Sequence, residues 1–145
     1  MLLTGKLNRI EKYSRKYRNI KLEKYGLKRS DHSYILFLKH HPGASQEELT
    51  EMIALDKANV ARHLSRLEEQ GLIERRQSKT DRRITEVFLS PKGEELYPIM
   101  RDVAEKWSAY LLEDLSEEQR KMFNDILDQM ILKAKNYPFE GEENI

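Results

Sequence analysis

The sequence predicts a mainly α-helical chain that carries one small β-hairpin as a wing. Three observations lead there. Apolar residues recur at helical spacing along most of the 145 residues. Strand character is confined to two runs, Leu72–Arg76 and Ile84–Leu89, joined by a polar link. Residues 45–89 run as helix, turn, second helix and hairpin in close succession, and the rest of the chain is organised around them.

In chain order, Lys6 to Tyr25 reads as a long helix with a mixed face through Leu7, Ile10, Tyr13, Tyr17 and Ile20 and a largely basic remainder. That basic surface is open to three readings: a solvated face, docking against the acidic C-terminal helices, or direct contact with nucleic acid. Gly26 is a C-cap and Ser30 the N-cap of a second helix, with Tyr34, Ile35, Phe37 and Leu38 in the core. His40-His41-Pro42-Gly43 stops it. The two adjacent histidines cannot share a helix face, so they read as loop residues rather than zinc ligands.

Ser45-x-x-Glu48 is a capping box for the next helix, whose inner face holds Leu49, Met52 and Ile53. Asp56 is an N-cap and Gly71 a C-cap for the following one. Its stripe, Val60, Leu64 and Leu67, is narrow, and His63 beside it reads as a partly buried structural residue. Ala58, Arg62 and Ser65 point the opposite way, flanked by Asn59 and Arg66. A small residue beside long hydrogen-bonding ones suits a helix that enters a DNA major groove, where Arg and Asn read base edges in a bidentate way. Lys57 sits at the helix start, where backbone N–H groups and a cation can hold phosphate. The hairpin link Gln77–Arg83 carries Lys79, Asp81, Arg82 and Arg83, and such a basic tip suits a minor groove or a phosphate backbone. The plain reading of that link is a charged, solvated turn.

Ser90-Pro91 opens a helix with Ser as N-cap and Pro at the first helical position, although Gly93 weakens the start. Leu96, Met100, Val103, Trp107, Tyr110 and Leu111 form its stripe. Ser116-x-x-Gln119 is a second capping box, and the last helix presents Met122, Phe123, Ile126, Leu127, Met130 and Ile131. Both stripes are core or helix–helix interface. Tyr137-Pro138 ends that helix, leaving a loose acidic tail over 138–145.

These residues resemble the winged helix-turn-helix of the MarR (multiple antibiotic resistance regulator) family. The resemblance is carried by DKANVARHLSRLEEQGLIERR, the tip TDRR and the strand exit EVFLSPKGEEL, with the tip's Asp81-x-Arg83 and the run Leu67 to Ile73 as family features. It implies one MarR-like domain over 1–145: a winged helix-turn-helix at 30–90, and dimerisation helices at 1–29 and 91–137. It also implies that Asp81 orients a neighbouring Arg rather than facing phosphate.

Composition bounds the alternatives. Hydrophobic residues make up 39% and charged residues 35%, a balance that points to long solvated helices or an oligomer. No apolar run approaches the ~20 residues of a membrane span, and the N-terminus is too basic and broken for a signal peptide, so a cytoplasmic protein is expected. Cysteine is absent, which excludes disulfides and thiol chemistry within this chain and argues against the family's peroxide-sensing branch. The net charge of +1 hides a gradient: +8 over residues 1–30, −1 over 31–90 and −6 over 91–145. Residues 57–83 alone carry eight Lys/Arg against four acids. No phosphate loop, catalytic triad or metal cluster stands out, so no cofactor is expected and an enzyme has no positive support.

The resemblance therefore implies a dimeric, sequence-specific binder of double-stranded DNA with a palindromic site, acting as a repressor relieved by a small aromatic or phenolic effector. Tyr13, Tyr17, Tyr34, Trp107 and Tyr110 could line a pocket for it, and equally could be ordinary aromatic core. The alternatives are an activator or counter-silencer of the same fold, or a winged-helix module that contacts only proteins.

Overall fold

A computed structural model describes residues 2–27, 30–53 and 56–139. The chain runs α1 (Leu3–Leu22), a 3₁₀ turn (Glu23–Tyr25), α2 (Asp31–His40), β1 (Ala44–Ser45), α3 (Gln46–Ile53), α4 (Lys57–Glu69), β2 (Ile73–Gln77), β3 (Thr85–Leu89), α5 (Pro91–Leu111) and α6 (Glu117–Lys135). It is mostly helical with a small antiparallel sheet, as the sequence predicts. Residues 140–145, most of the expected acidic tail, lie outside the described residues, as do 54–55 in the turn between α3 and α4.

The sheet has one strand more than the expected hairpin. Its order is β1-β3-β2, with Ala44 opposite Val87 and Ser45 opposite Glu86. Two residues are too few to show a period-2 pattern, so β1 leaves no mark in the sequence. The β2–β3 register sets Ile73 opposite Leu89 and Gln77 opposite Thr85.

The chain divides into two compact units, 1–107 and 108–145. In the first, Tyr34, Ile35, Leu38, Leu49, Val60, Leu64, Leu67 and Val87 are sealed from solvent or nearly so, which places α2, α3 and α4 around the sheet. The capping expectations hold where they fix element ends. Ser45 N–H donates to Glu48 at 2.8 Å and Glu48 N–H to Ser45 Oγ at 3.1 Å, the reciprocal pair of a capping box. Asp56 accepts from Asn59 N–H at 2.9 Å. Ser30 stands at the N-cap of α2 but makes no side-chain cap bond. Gly71 follows α4 at φ +73°, a conformation glycine takes without penalty.

The glycine at the start of α5 is a requirement rather than a weakness. A Cβ on Gly93 would drive into the carbonyl of Leu72. Ser90 ties the same corner: its N–H donates to Leu72 O at 3.0 Å, and its Oγ donates to Gly71 O and accepts from Gly93 N–H at 3.1 Å. The end of α4, the start of β2 and the start of α5 are thereby held together.

In the second unit, Ser116 and Gln119 form the predicted capping box, and Arg120 donates to the carbonyls of Leu112 and Leu115 at 3.0 and 3.1 Å. No residue of α6 is buried within this unit; Met122, Phe123, Ile126, Ile131 and Leu132 all lie open. In the first unit, Leu3, Leu7, Ile10 and Ile20 of α1 are likewise exposed.

Candidate nucleic-acid interface

The exposed face of α4 is built from its N-terminus. Asp56 caps the helix with one carboxylate oxygen and takes Asn59 Nδ2 on the other. Asn59 Oδ1 in turn accepts from the guanidinium of Arg62. One side-chain chain thus runs Asp56–Asn59–Arg62 along one face of the helix and engages Arg62 without burying it. Lys57 and Ala58 are exposed beside it.

The C-terminal half of that face differs. Ser65 is half-buried and accepts from Arg75 of β2 at 3.3 Å. Arg75 also donates to both oxygens of Glu68, at 3.1 Å each, and this contact holds the Glu68 carboxyl below its usual range. Arg66 turns toward α2. Its Nη1 donates to Asp31 Oδ2 at 2.9 Å and its Nη2 to Oδ1. Asp31 is fully buried. The structure therefore leaves Lys57, Ala58 and Arg62 on open surface, keeps Asn59 half-buried between Asp56 and Arg62, and engages Ser65 and Arg66 in contacts with other elements.

The hairpin tip is an ordered turn. Buried Ser78 accepts from the N–H groups of Thr80 and Asp81 at 3.3 Å, and its own N–H donates to Ile84 O at 2.9 Å. Asp81 accepts from Arg83 three times: from N–H at 3.1 Å, Nε at 3.0 Å and Nη2 at 2.9 Å. The Arg83 hydrogen bonds hold the Asp81 carboxyl below the usual carboxylate range and raise the affinity of Arg83 for its proton. Lys79 and Arg82 project outward, and Gln77 Nε2 donates to Arg82 O at 2.8 Å. A cleft of about 350 Å³ joins wing to helix, with Lys57 and Arg83 lining it together with Gln46, Thr50 and Thr85.

The five aromatic residues are divided between the two units. Tyr34 is sealed in the core, its hydroxyl 3.2 Å from His63 Nδ1, which gives His63 the expected structural role. Burial first, and then Asp31, push its phenol up to about 12, while Arg66 pulls the other way. Tyr17 stacks on Trp107 at 4.7 Å, and Trp107 Nε1 donates to Ser14 Oγ at 2.7 Å. Tyr13 and Tyr110 lie largely exposed, Tyr110 in the second unit. A separate polar cleft of about 420 Å³ is lined by Glu11, Arg15, Arg18, Ser30, His32 and Ser33.

The sequence pattern did not single out Asp31 or Arg75. An acid in the first turn of a helix has a sufficient local reason to be there, because it faces the positive end of the dipole. Nothing local marks its partner on another helix.

Comparison with known proteins places this geometry. A sequence model of the MarR family matches residues 25–84. The HTH-type transcriptional regulator YybA of Bacillus subtilis, itself uncharacterized, is 29% identical over 77% of this chain and 75% of its own. The crystal structure of MarR superposes with a TM-score of 0.84 at 32% identity, covering 92% of this chain and 91% of that one. A MarR family regulator from Listeria monocytogenes, solved in complex with a 26mer DNA, shares the fold with a TM-score of 0.88 at 23% identity, covering 92% and 89%.

Proposed function

The chain belongs to the MarR family, and on that premise we propose that it is a transcriptional regulator that binds double-stranded DNA as a homodimer, at a site of matching two-fold symmetry. The observation that carries this is the exposed start of α4, with Lys57, Ala58 and Arg62 open and Arg62 linked through Asn59 to Asp56, beside a wing whose Arg83 is braced by Asp81. Asn59 and Arg62 have the donors and acceptors that base edges require, and Ala58 leaves room for a thymine methyl. Lys57, Lys79, Arg82 and Arg83 serve the phosphates and the minor groove. Ser65 contributes at the edge of this face, through its contact with Arg75.

The dimer is supported by what the single chain leaves uncovered. The apolar faces of α1 and of α6 are exposed in their respective units, and an amphipathic helix needs something to cover its stripe. Pairing two copies would place two α4 helices in successive major grooves ~34–36 Å apart. Repression follows when such a site overlaps a promoter.

The effector that fits this reading is a small aromatic acid. Its carboxylate would take the place of Glu11 on Arg15 and Arg18 in the polar cleft, beside Ser30 and Ser33, and its entry would bear on α2 and so on α4. The ring would be covered by repacking around Tyr13, Tyr17 and Trp107.

Selection of bound duplexes from random DNA, followed by titration with salt, tests the function. An enriched near-palindrome whose affinity falls steeply with salt is expected. Failure to enrich any sequence, with Arg62→Ala and Arg83→Ala leaving binding to duplexes unchanged, would favour a protein-interaction module instead.

A further inference from the structure

Asp31 and Arg66 stand 35 residues apart in sequence on two different helices and meet through both carboxylate oxygens. One turn along α2 from Asp31, the Tyr34 hydroxyl meets His63, which lies one turn back along α4 from Arg66. The two contacts are polar rungs with a spacing of three residues on each helix. The remaining attachment of α4 is the aliphatic stripe Val60, Leu64 and Leu67 together with Arg75 of β2, which reaches Ser65 and Glu68 on the flank away from α2. Aliphatic burial is non-directional, so it holds a helix against its neighbours but resists rotation about the helix axis weakly. A bidentate Arg–carboxylate contact has a fixed planar geometry and does resist it. Asp31 is sealed from water and Arg66 is about one-quarter exposed, so the contact lies where solvent competes little.

We infer that Asp31 is a positioning residue for DNA reading: through Arg66 it sets the roll of α4, and with it the direction in which Ala58, Asn59 and Arg62 leave the surface. This rests on the DNA-reading function proposed above. A helix with its side chains is ~10–12 Å across, so a roll of about 20° carries its outer atoms by roughly 2 Å. A base-edge hydrogen bond does not survive that displacement. Phosphate contacts made by long, mobile lysines on the wing do. Loss of the clamp should therefore cost discrimination between sequences more than it costs attraction to DNA as such. Arg66 does this without touching a base.

The test is a double-mutant cycle on the full chain. The affinity for a selected duplex is divided by that for a scrambled duplex of the same length, at one salt concentration. The variants are Asp31→Asn, Arg66→Met and the two together. Each single change is expected to lower this ratio about tenfold or more, with the slope of affinity against salt kept and the double variant no worse than the poorer single one. Should Asp31→Asn fail to melt cooperatively, the double variant, which leaves no charge unpaired, is read in its place and should show the same lowered ratio with the slope kept. A ratio within about twofold of the unmodified protein in whichever of the two variants is read, or losses that multiply in the double variant, would overturn the inference. Multiplying losses would mean that Arg66 meets DNA itself. If the unmodified protein shows no preference between the duplexes, the DNA-reading function fails first, and this inference with it.

Discussion

Asp81 and Arg83 at the hairpin tip form a closed unit in which one carboxylate takes the backbone N–H and both reachable guanidinium nitrogens of the other residue. The acid is the fixed part, because its own N–H is held by Ser78, and the arginine side chain stays almost wholly in solvent. An acid alone at the tip would repel phosphate, yet on the proposed reading its geometry aims the Arg83 cation at it. Asp81→Ala should therefore weaken DNA binding although it removes a negative charge, and Arg83→Ala should weaken it further, by roughly tenfold or more. Gel-shift titration decides; tighter binding by the Asp81 variant would refute the orienting role.

The same pair gives a pH expectation. The Asp81 carboxyl in the folded chain is held below its free value by Arg83, so the bond is fully formed above the ordinary carboxylate range, near pH ~4, and is lost only as pH falls through the lowered value. Affinity for DNA should show no step from this pair between neutral pH and about pH 5. A step in that window that vanishes in Asp81→Asn would contradict the assignment.

Arg62 and Lys57 should fail in different ways. If Arg62 reads a base as proposed, Arg62→Ala should cost affinity for the selected sequence more than for scrambled DNA. Lys57→Ala should weaken both alike and lower the salt slope by about 1. Anisotropy titrations on the two duplexes at several salt concentrations separate these outcomes.

Gly93 tests the corner that joins α4, β2 and α5. A methyl group there meets the Leu72 backbone carbonyl, which cannot swing aside as a side chain would. Gly93→Ala should destabilise the fold by about 1–3 kcal/mol despite the better helix propensity of alanine. An unchanged thermal midpoint would show that the corner is looser than described.

Tyr34 predicts a late titration. Its phenol is pushed up to about 12, against ~10 when free. The folded state favours the neutral phenol, so the stability tied to it is complete below pH ~10 and drains away as pH rises toward 12. Tyrosinate absorbance should show a late component that is missing from Tyr34→Phe.

What could be read from the sequence was what is decided locally. Ser45 with Glu48, Asp56, and Ser116 with Gln119 bond within one turn of themselves, so their spacing alone marks the helix starts. The division of α4 into a buried stripe and an opposed polar face follows from period alone, and Val60, Leu64 and Leu67 are where that period puts them. The fate of the flanks does not follow from it. Arg66 and Ser65 sit on the same helix as Arg62 and have suitable chemistry, but Asp31 and Arg75 meet them from other elements. The partners of the aromatic residues were hidden for a similar reason: Tyr34 meets His63 and Tyr17 stacks on Trp107 across elements far apart in sequence. Gly93 reads as a poor start to a helix until the Leu72 carbonyl is seen beside it.

On the proposed reading, paired copies set the exposed start of α4 and its adjoining wing against one double helix. Hydroxyl-radical footprinting of a selected duplex tests it most directly. Two protected patches on one face of the DNA, centred ~10–10.5 base pairs apart about a dyad, are the expected result. A single protected patch, or an unprotected duplex, would contradict the claim.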